Sequence, residues 1–353
     1  MRQKGELIWY GIIGIIFLAI IMVFLVIYFN GFGERYSVCG DGTFEGDCSL
    51  NSPYFCSKGI LIEKASYCGC PDVLSYKKDS CVSQYQTNPK TISMNYTLNG
   101  VSKKLNFVVY KGLADYLYNL PVSLSGNVSR LDFKLRNINN PEQRELLMPL
   151  VIAIQNSEKD EVNQTRIAIS LVQNIPYNSS GKPLKFVASD GSEYSRYPYE
   201  TLYDFSGVCG EKTELLVFLL KELGYGTADI YYGYENHEAA GIKCPVSESM
   251  NKSGYCFIET TGPAILSNDK EEYSGFGRLI SNPDIFIISE GKSLGDIGEY
   301  ADAEEWIKLD REIKTKKQEM SLSDFQKWKN LVKKYGLEIP SILKEIVKQL
   351  NEK

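Results

Sequence analysis

Six of the nine cysteines fall between positions 39 and 81, a segment with few periodic apolar runs to build a core. A unit that small cannot rely on buried surface, so covalent cross-links must hold it. The spacing C-x8-C-x7-C-x11-C-x-C-x10-C is dense and even-numbered, which reads as a disulfide framework in an oxidising compartment. A structural zinc site needs close ligand pairs such as C-x2-C, and neither such a pair nor a histidine lies here. Six cysteines permit many pairings, and the spacing does not choose among them. The acidic stretch Asp41–Asp47 lacks the full spacing of a calcium loop and is read as turns.

The compartment is also suggested by the segment just before this unit. Residues 7–29 are uncharged and mostly apolar. As a helix they would span roughly 35 Å, against a hydrocarbon core of about 30 Å. A cleaved signal peptide would carry a shorter core and end at a small-residue site, which this run lacks. Arg2 and Lys4 precede the run, so the positive-inside bias puts the N-terminus in the cytoplasm and the bulk of the chain outside. The expectation is a single-pass protein of the cell membrane. Five Asn-x-Ser/Thr sequons, at Asn95, Asn127, Asn163, Asn178 and Asn251, are compatible with an exported glycoprotein. The net charge of −5 and the absence of a long basic run argue against nucleic acid as a partner.

Four units follow from the pattern: an anchor over 1–30, a cysteine-rich unit over 31–90, a mixed domain over 91–300, and amphipathic helices over 301–353. Alternating apolar residues flank Asn99-Gly100, a strong hairpin signal. Helices are expected from Pro141 to Ile154 and from about Glu161 to Asn174. Leu215, Leu216, Leu219, Leu220 and Leu223 mark the buried face of a helix that Gly224 ends. Strands are expected over 228–234, 237–244 and 255–260. Near the C-terminus, Trp306, Leu309 and Ile313 share one face, and Ser321 is placed to cap a further helix.

The chemistry begins with scarcity. His237 is the chain's single histidine, which rules out multi-histidine metal sites and leaves one neutral base near pH 7. Cys244 and Cys256 lie near the facing ends of two strand candidates. If they pair, Cys209 is left over, and an unpaired thiol in an oxidising compartment is exposed to damage unless it has a function. An inert buried cysteine is the alternative. Cys209 sits at the head of the leucine-faced helix, where free N–H groups and the positive dipole end favour thiolate. Its own N–H is placed to stabilise a developing oxyanion. Strand parity adds a relation: if Cys244 meets Cys256 on one sheet face, His237 and Glu259 share the other. Glu259 is then the candidate to orient the imidazole, ahead of Glu235 and Glu238.

Residues 197–216 (YPYETLYDFSGVCGEKTELL), then 219–225 (LLKELGY) and 237–242 (HEAAGI), resemble the transglutaminase-like branch of the papain-like thiol enzymes. The upstream LVQNIPY at 171–177 is similar to the segment that often precedes that core, so the resemblance covers about 165–263. It implies an α+β papain-like/transglutaminase-like core, a Cys-bearing helix packed on an antiparallel sheet, with a Cys-His-Asp triad. Cys209 and His237 match directly; the third position carries Glu259 where Asp is usual. The expected function is acyl transfer on amide bonds of a protein or peptide, as protease, amidase or cross-linker, with no cofactor or metal. Inactive relatives exist, so a surface-binding module is the rival expectation. Tyr203 is a guess for the second oxyanion donor.

Overall fold

The computed structural model describes residues 15–23, 37–120, 129–178, 196–267, 272–273, 277–316, 320–339 and 344. Most of the expected membrane segment, and the sequon at Asn127, lie outside them. Residues 15–23 are helical and exposed. No helix among the described residues is long and apolar enough to cross a membrane.

The cysteine-rich unit is held by Cys39–Cys56, Cys48–Cys68 and Cys70–Cys81, with Cα separations of 5.8, 5.6 and 5.6 Å. Two small hairpins make up its regular structure: β1 (Tyr54–Ser57) with β2 (Ile60–Glu63), and β3 (Ser75–Lys77) with β4 (Ser80–Val82). The short helix α1 (Ala65–Cys68) lies between them. The unit is not a free stalk. Cys39, Tyr54, Cys56 and Leu61 share their small core with Ile152 from the next domain. Asn156 behaves as a strand partner there: its Oδ1 accepts from the Leu61 N–H at 2.8 Å and its Nδ2 donates to the Leu61 carbonyl at 2.9 Å. A Cβ at Gly40 would stand 1.9 Å from the carbonyl oxygen of Gln155, so glycine is what lets the two backbones meet.

The hairpin of β5 (Pro89–Leu98) and β6 (Val101–Tyr110) turns through Asn99 and Gly100, both at positive φ, as a tight hairpin turn requires. Its buried face carries Ile92, Met94, Tyr96, Leu98, Leu105, Phe107 and Val109. Helix α2 (Lys111–Tyr118) follows, then α3 (Arg130–Ile138), α4 (Pro141–Ser157) and α5 (Glu161–Gln173). Asn140 caps α4 by accepting from the Gln143 N–H, with Pro141 in the first turn; Asp160 caps α5 by accepting from Asn163. After α6 (Pro198–Asp204) comes α7 (Cys209–Glu222), whose leucines are wholly buried in the main core.

The central sheet is antiparallel and built from β7 (Thr227–Tyr232), β8 (His237–Lys243) and β9 (Tyr255–Ile258), with β12 (Asp284–Ser289) outside β7. A two-residue ladder, β10 (Glu272–Tyr273) with β11 (Gly277–Arg278), lies between β9 and β12 in sequence. Ala240, Ile242, Cys244, Cys256 and Ile258 join the core that contains α7. Ala239 and Phe257, one residue out of step, join a second cluster with Ile230 and Tyr232. Cys244 and Cys256 form a disulfide, Cα to Cα 5.8 Å. It closes a loop of 12 residues, and replacing both cysteines by serine is expected to cost about 3 kcal/mol in a denaturant titration.

Helices α8 (Glu299–Lys316) and α9 (Leu322–Tyr335) form a hairpin with its own core. Trp306 and Trp328 stack there at 5.9 Å. Ser321 caps α9 by accepting from the Asp324 N–H. The hairpin is seated on the β5–β6 turn, where the Gly100 N–H donates to the Lys334 carbonyl at 3.0 Å.

Candidate active site

Helix α7 begins at Cys209, and the groups around its first turn are fixed. Val208 precedes the helix and offers no capping oxygen. Glu211 supplies one by accepting from the Val208 N–H at 3.0 Å. Arg196 grips that carboxylate from the other side, Nε to Oε1 at 2.9 Å and Nη2 to Oε2 at 2.6 Å, and reaches Asp204 with Nη1 at 2.8 Å. An acidic group in the first turn also suits the positive end of the helix dipole. Gly207 exchanges main-chain bonds with the segment after α5: its N–H donates to Pro176 and its carbonyl accepts from Asn178. The LVQNIPY segment is thereby laced to the loop that presents the thiol.

Cys209 is the free thiol of the nine cysteines and is partly exposed. His237 opens β8 and is 4% exposed. Its Nε2 lies 2.9 Å from Oε2 of Glu259, and the Cys209 side chain is among the neighbours that raise its pKa. Burial disfavours the charged imidazole, but the bonds to Cys209 and Glu259 and their negative charges outweigh it. The group is pushed up from 6.5 to about 9. The structure therefore brings His237 and Glu259 into contact, with Cys209 beside the ring.

Glu259, 2% exposed, stands just beyond β9. Its Oε1 accepts from the N–H groups of Thr260 and Thr261 at 2.9 and 2.8 Å, and from the Thr261 hydroxyl at 2.7 Å. One oxygen is thus anchored by its own loop and the other is left for the imidazole. Thr260 links the loop back to the helix, its Oγ1 lying 3.2 Å from that of Thr213 and 3.4 Å from the Cys209 carbonyl. The other carboxylates near His237 are engaged elsewhere. Glu235 accepts from the Ile280 and Ser281 N–H groups. Glu238 turns to the opposite face, where it meets Arg130 and, at 2.7 Å, Lys134.

Glu238 belongs to a buried charged layer beneath the site. Lys134 also pairs with Glu214 at 2.8 Å, and Asn137 donates to Glu214 at 3.2 Å. Asp229 lies in the same layer; burial first, and then the charge of Glu238, pushes its carboxyl up to about 7. A Cβ on Gly210 would fall 2.3 Å from Oε2 of Glu238. Glycine follows the cysteine because this pinned carboxylate occupies the space.

The Tyr203 ring packs on the main core with the Lys90 ammonium 3.8 Å above it. Tyr177 is the tyrosine beside the site. Its hydroxyl is pushed up, by burial first and then by the charges of Cys209 and Glu259, yet the residue is 57% exposed. The bridge between Tyr177 and Gly207 holds it there. Sequence reading missed the individual parts played by Tyr177, Gln173 and Lys212. They sit in quoted motifs, but nothing local marks them as neighbours of the thiol.

No family model and no curated protein matches the chain. A solved structure described as a candidate cysteine protease from Cytophaga hutchinsonii aligns with 60% of this chain and 83% of its own, at 11% identity and a TM-score of 0.26. So loose a superposition carries no weight for this site.

Proposed function

We propose that this protein is a thiol enzyme acting on amide bonds of proteins or peptides, through Cys209 as nucleophile, His237 as acid and base, and Glu259 as orienting group. One observation carries the reading: the single imidazole, its pKa raised by the single free thiol beside it, is held by a buried carboxylate. This is the nucleophile–base–orienter relation of covalent acyl transfer. A cysteine at a helix head, a histidine on an antiparallel strand and a carboxylate after the next strand also suit a transglutaminase-like core.

The thiolate attacks the amide carbon, and the carbonyl oxygen becomes an oxyanion. The Cys209 N–H, in the first turn of α7 where N–H groups lack intrahelical partners, is the proposed donor to that charge. The imidazolium of His237 gives its proton to the departing amine and leaves a thioester on Cys209. Water, deprotonated by the now neutral imidazole, resolves it; an incoming amine would give transfer instead of hydrolysis. The four disulfides place the described chain in an oxidising environment. The proposed setting is the outer side of a membrane, with the apolar run at 7–29 as single-pass anchor.

The test uses p-nitrophenyl acetate as acyl donor. The expected result is a burst of one nitrophenolate per chain, an acetyl adduct mapped to Cys209 by mass spectrometry, and continued turnover that an added amine accelerates. Cys209→Ala should show none of these. An adduct that never turns over would sink the enzyme reading in favour of a binding module.

A further inference from the structure

Lys212 lies one turn beyond Cys209 on α7 and is wholly buried. A lysine that deep ordinarily pairs with a carboxylate. This one donates instead to three main-chain carbonyls: Ile175 at 2.7 Å, Gln173 at 3.2 Å and Thr261 at 3.3 Å. Three acceptors match the three protons of an ammonium. Burial pushes the group down to about 8, against the raising effect of Glu259 and Glu338, so the ammonium form still prevails at pH 7.

Each carbonyl belongs to a segment that carries another part of the site. Gln173 donates from Nε2 to the main-chain carbonyl of Glu259 at 2.8 Å. Thr261 supplies two of the donors that hold Oε1 of Glu259. Ile175 leads through Pro176 into Tyr177, which is bridged to Gly207.

We infer that Lys212 is a positioning residue: by tying the Gln173–Ile175 segment and the Thr261 loop to the helix that bears Cys209, its ammonium sets Glu259 in register with His237. The consequence for chemistry rests on the reading of the site given above, whereas the geometric claim concerns the imidazole alone. No step of the reaction passes through Lys212 itself.

The single histidine makes the test direct, because every imidazole signal in an NMR titration of the full chain comes from His237. Two effects of Lys212→Met oppose each other. Removing a positive charge near Glu259 would by itself raise the pKa of His237. Letting Glu259 drift from the ring lowers it. The expected result is a fall of about one pKa unit, that is about tenfold in the proton-binding constant, in a protein that circular dichroism shows to be folded. Lys212→Gln keeps N–H donors without the charge, should fall less, and carries the test if the methionine variant does not fold. A His237 pKa equal to or above the wild-type value in the folded variant overturns the inference. Failure of the enzyme reading shows separately, as absence of acetyl turnover at Cys209 in the unaltered protein.

Discussion

Replacing His237 with alanine is expected to slow the labelling of Cys209 by iodoacetamide at pH 7 by about tenfold or more. The imidazole is the proposed base beside this thiol, and without it the nucleophile lacks the neighbour that activates it. An amide substrate would suffer more, about 10²- to 10⁴-fold, because the departing amine also loses its proton donor. A labelling rate that does not change would remove His237 from the proposed mechanism.

The same contact has a pH signature. His237 has a folded-state pKa of about 9, above its ordinary 6.5. A raised pKa stabilises the fold fully below about 6.5, and that contribution is lost as pH rises through about 9. The denaturation midpoint of the wild type, measured against His237→Ala, is expected to fall across that window. A flat difference between the two proteins would show that the imidazole is not held as a cation.

The largest loss of stability is expected at Lys134. Its ammonium lies between Glu214 at 2.8 Å and Glu238 at 2.7 Å, with side-chain exposures of 3%, 0% and 11% respectively. Lys134→Met keeps the volume but leaves two buried carboxylates short of their counter-charge. Breaking a buried pair in this way costs about 3–5 kcal/mol. The double variant Lys134→Met, Glu214→Gln should recover much of the loss, since it removes the stranded Glu214 charge while Glu238 keeps Arg130 as partner. Urea titration of the two variants decides the matter; equal stability of Lys134→Met and wild type would show the layer to be unimportant. Because Glu238 follows His237 and rests against Gly210, the single variant is also expected to slow alkylation of Cys209.

The hairpin around Asn99-Gly100, the helices from Pro141 and Glu161, and the strands near 228, 237 and 255 were legible because local signals agreed there. Period-two patterning, side-chain caps and glycine at positive φ all act within a few residues. Helix α3 was missed: its polar residues Arg130 and Lys134 give no apolar stripe, and they are buried against Glu238 and Glu214. Strand β12 was also missed, because it is short and its place beside β7 is a long-range pairing. The disulfide unit was legible as a unit, yet its connectivity and its seat on α4 were not, since cysteine spacing says nothing of three-dimensional proximity.

By itself the sequence determined the inventory of the site: one histidine, one odd cysteine at a helix head, and a glutamate whose parity along a strand allowed it to meet the imidazole. Those are matters of count and period, and they hold wherever the segments come to rest. Tertiary structure decided which groups hold that inventory in place. Lys212 on three carbonyls, Arg196 on Glu211, Tyr177 bridged to Gly207, and the charged layer against Gly210 all join residues far apart in the chain. Hydrogen bonds and ion pairs act over a few ångströms, so their partners become defined only when packing has fixed which segments touch.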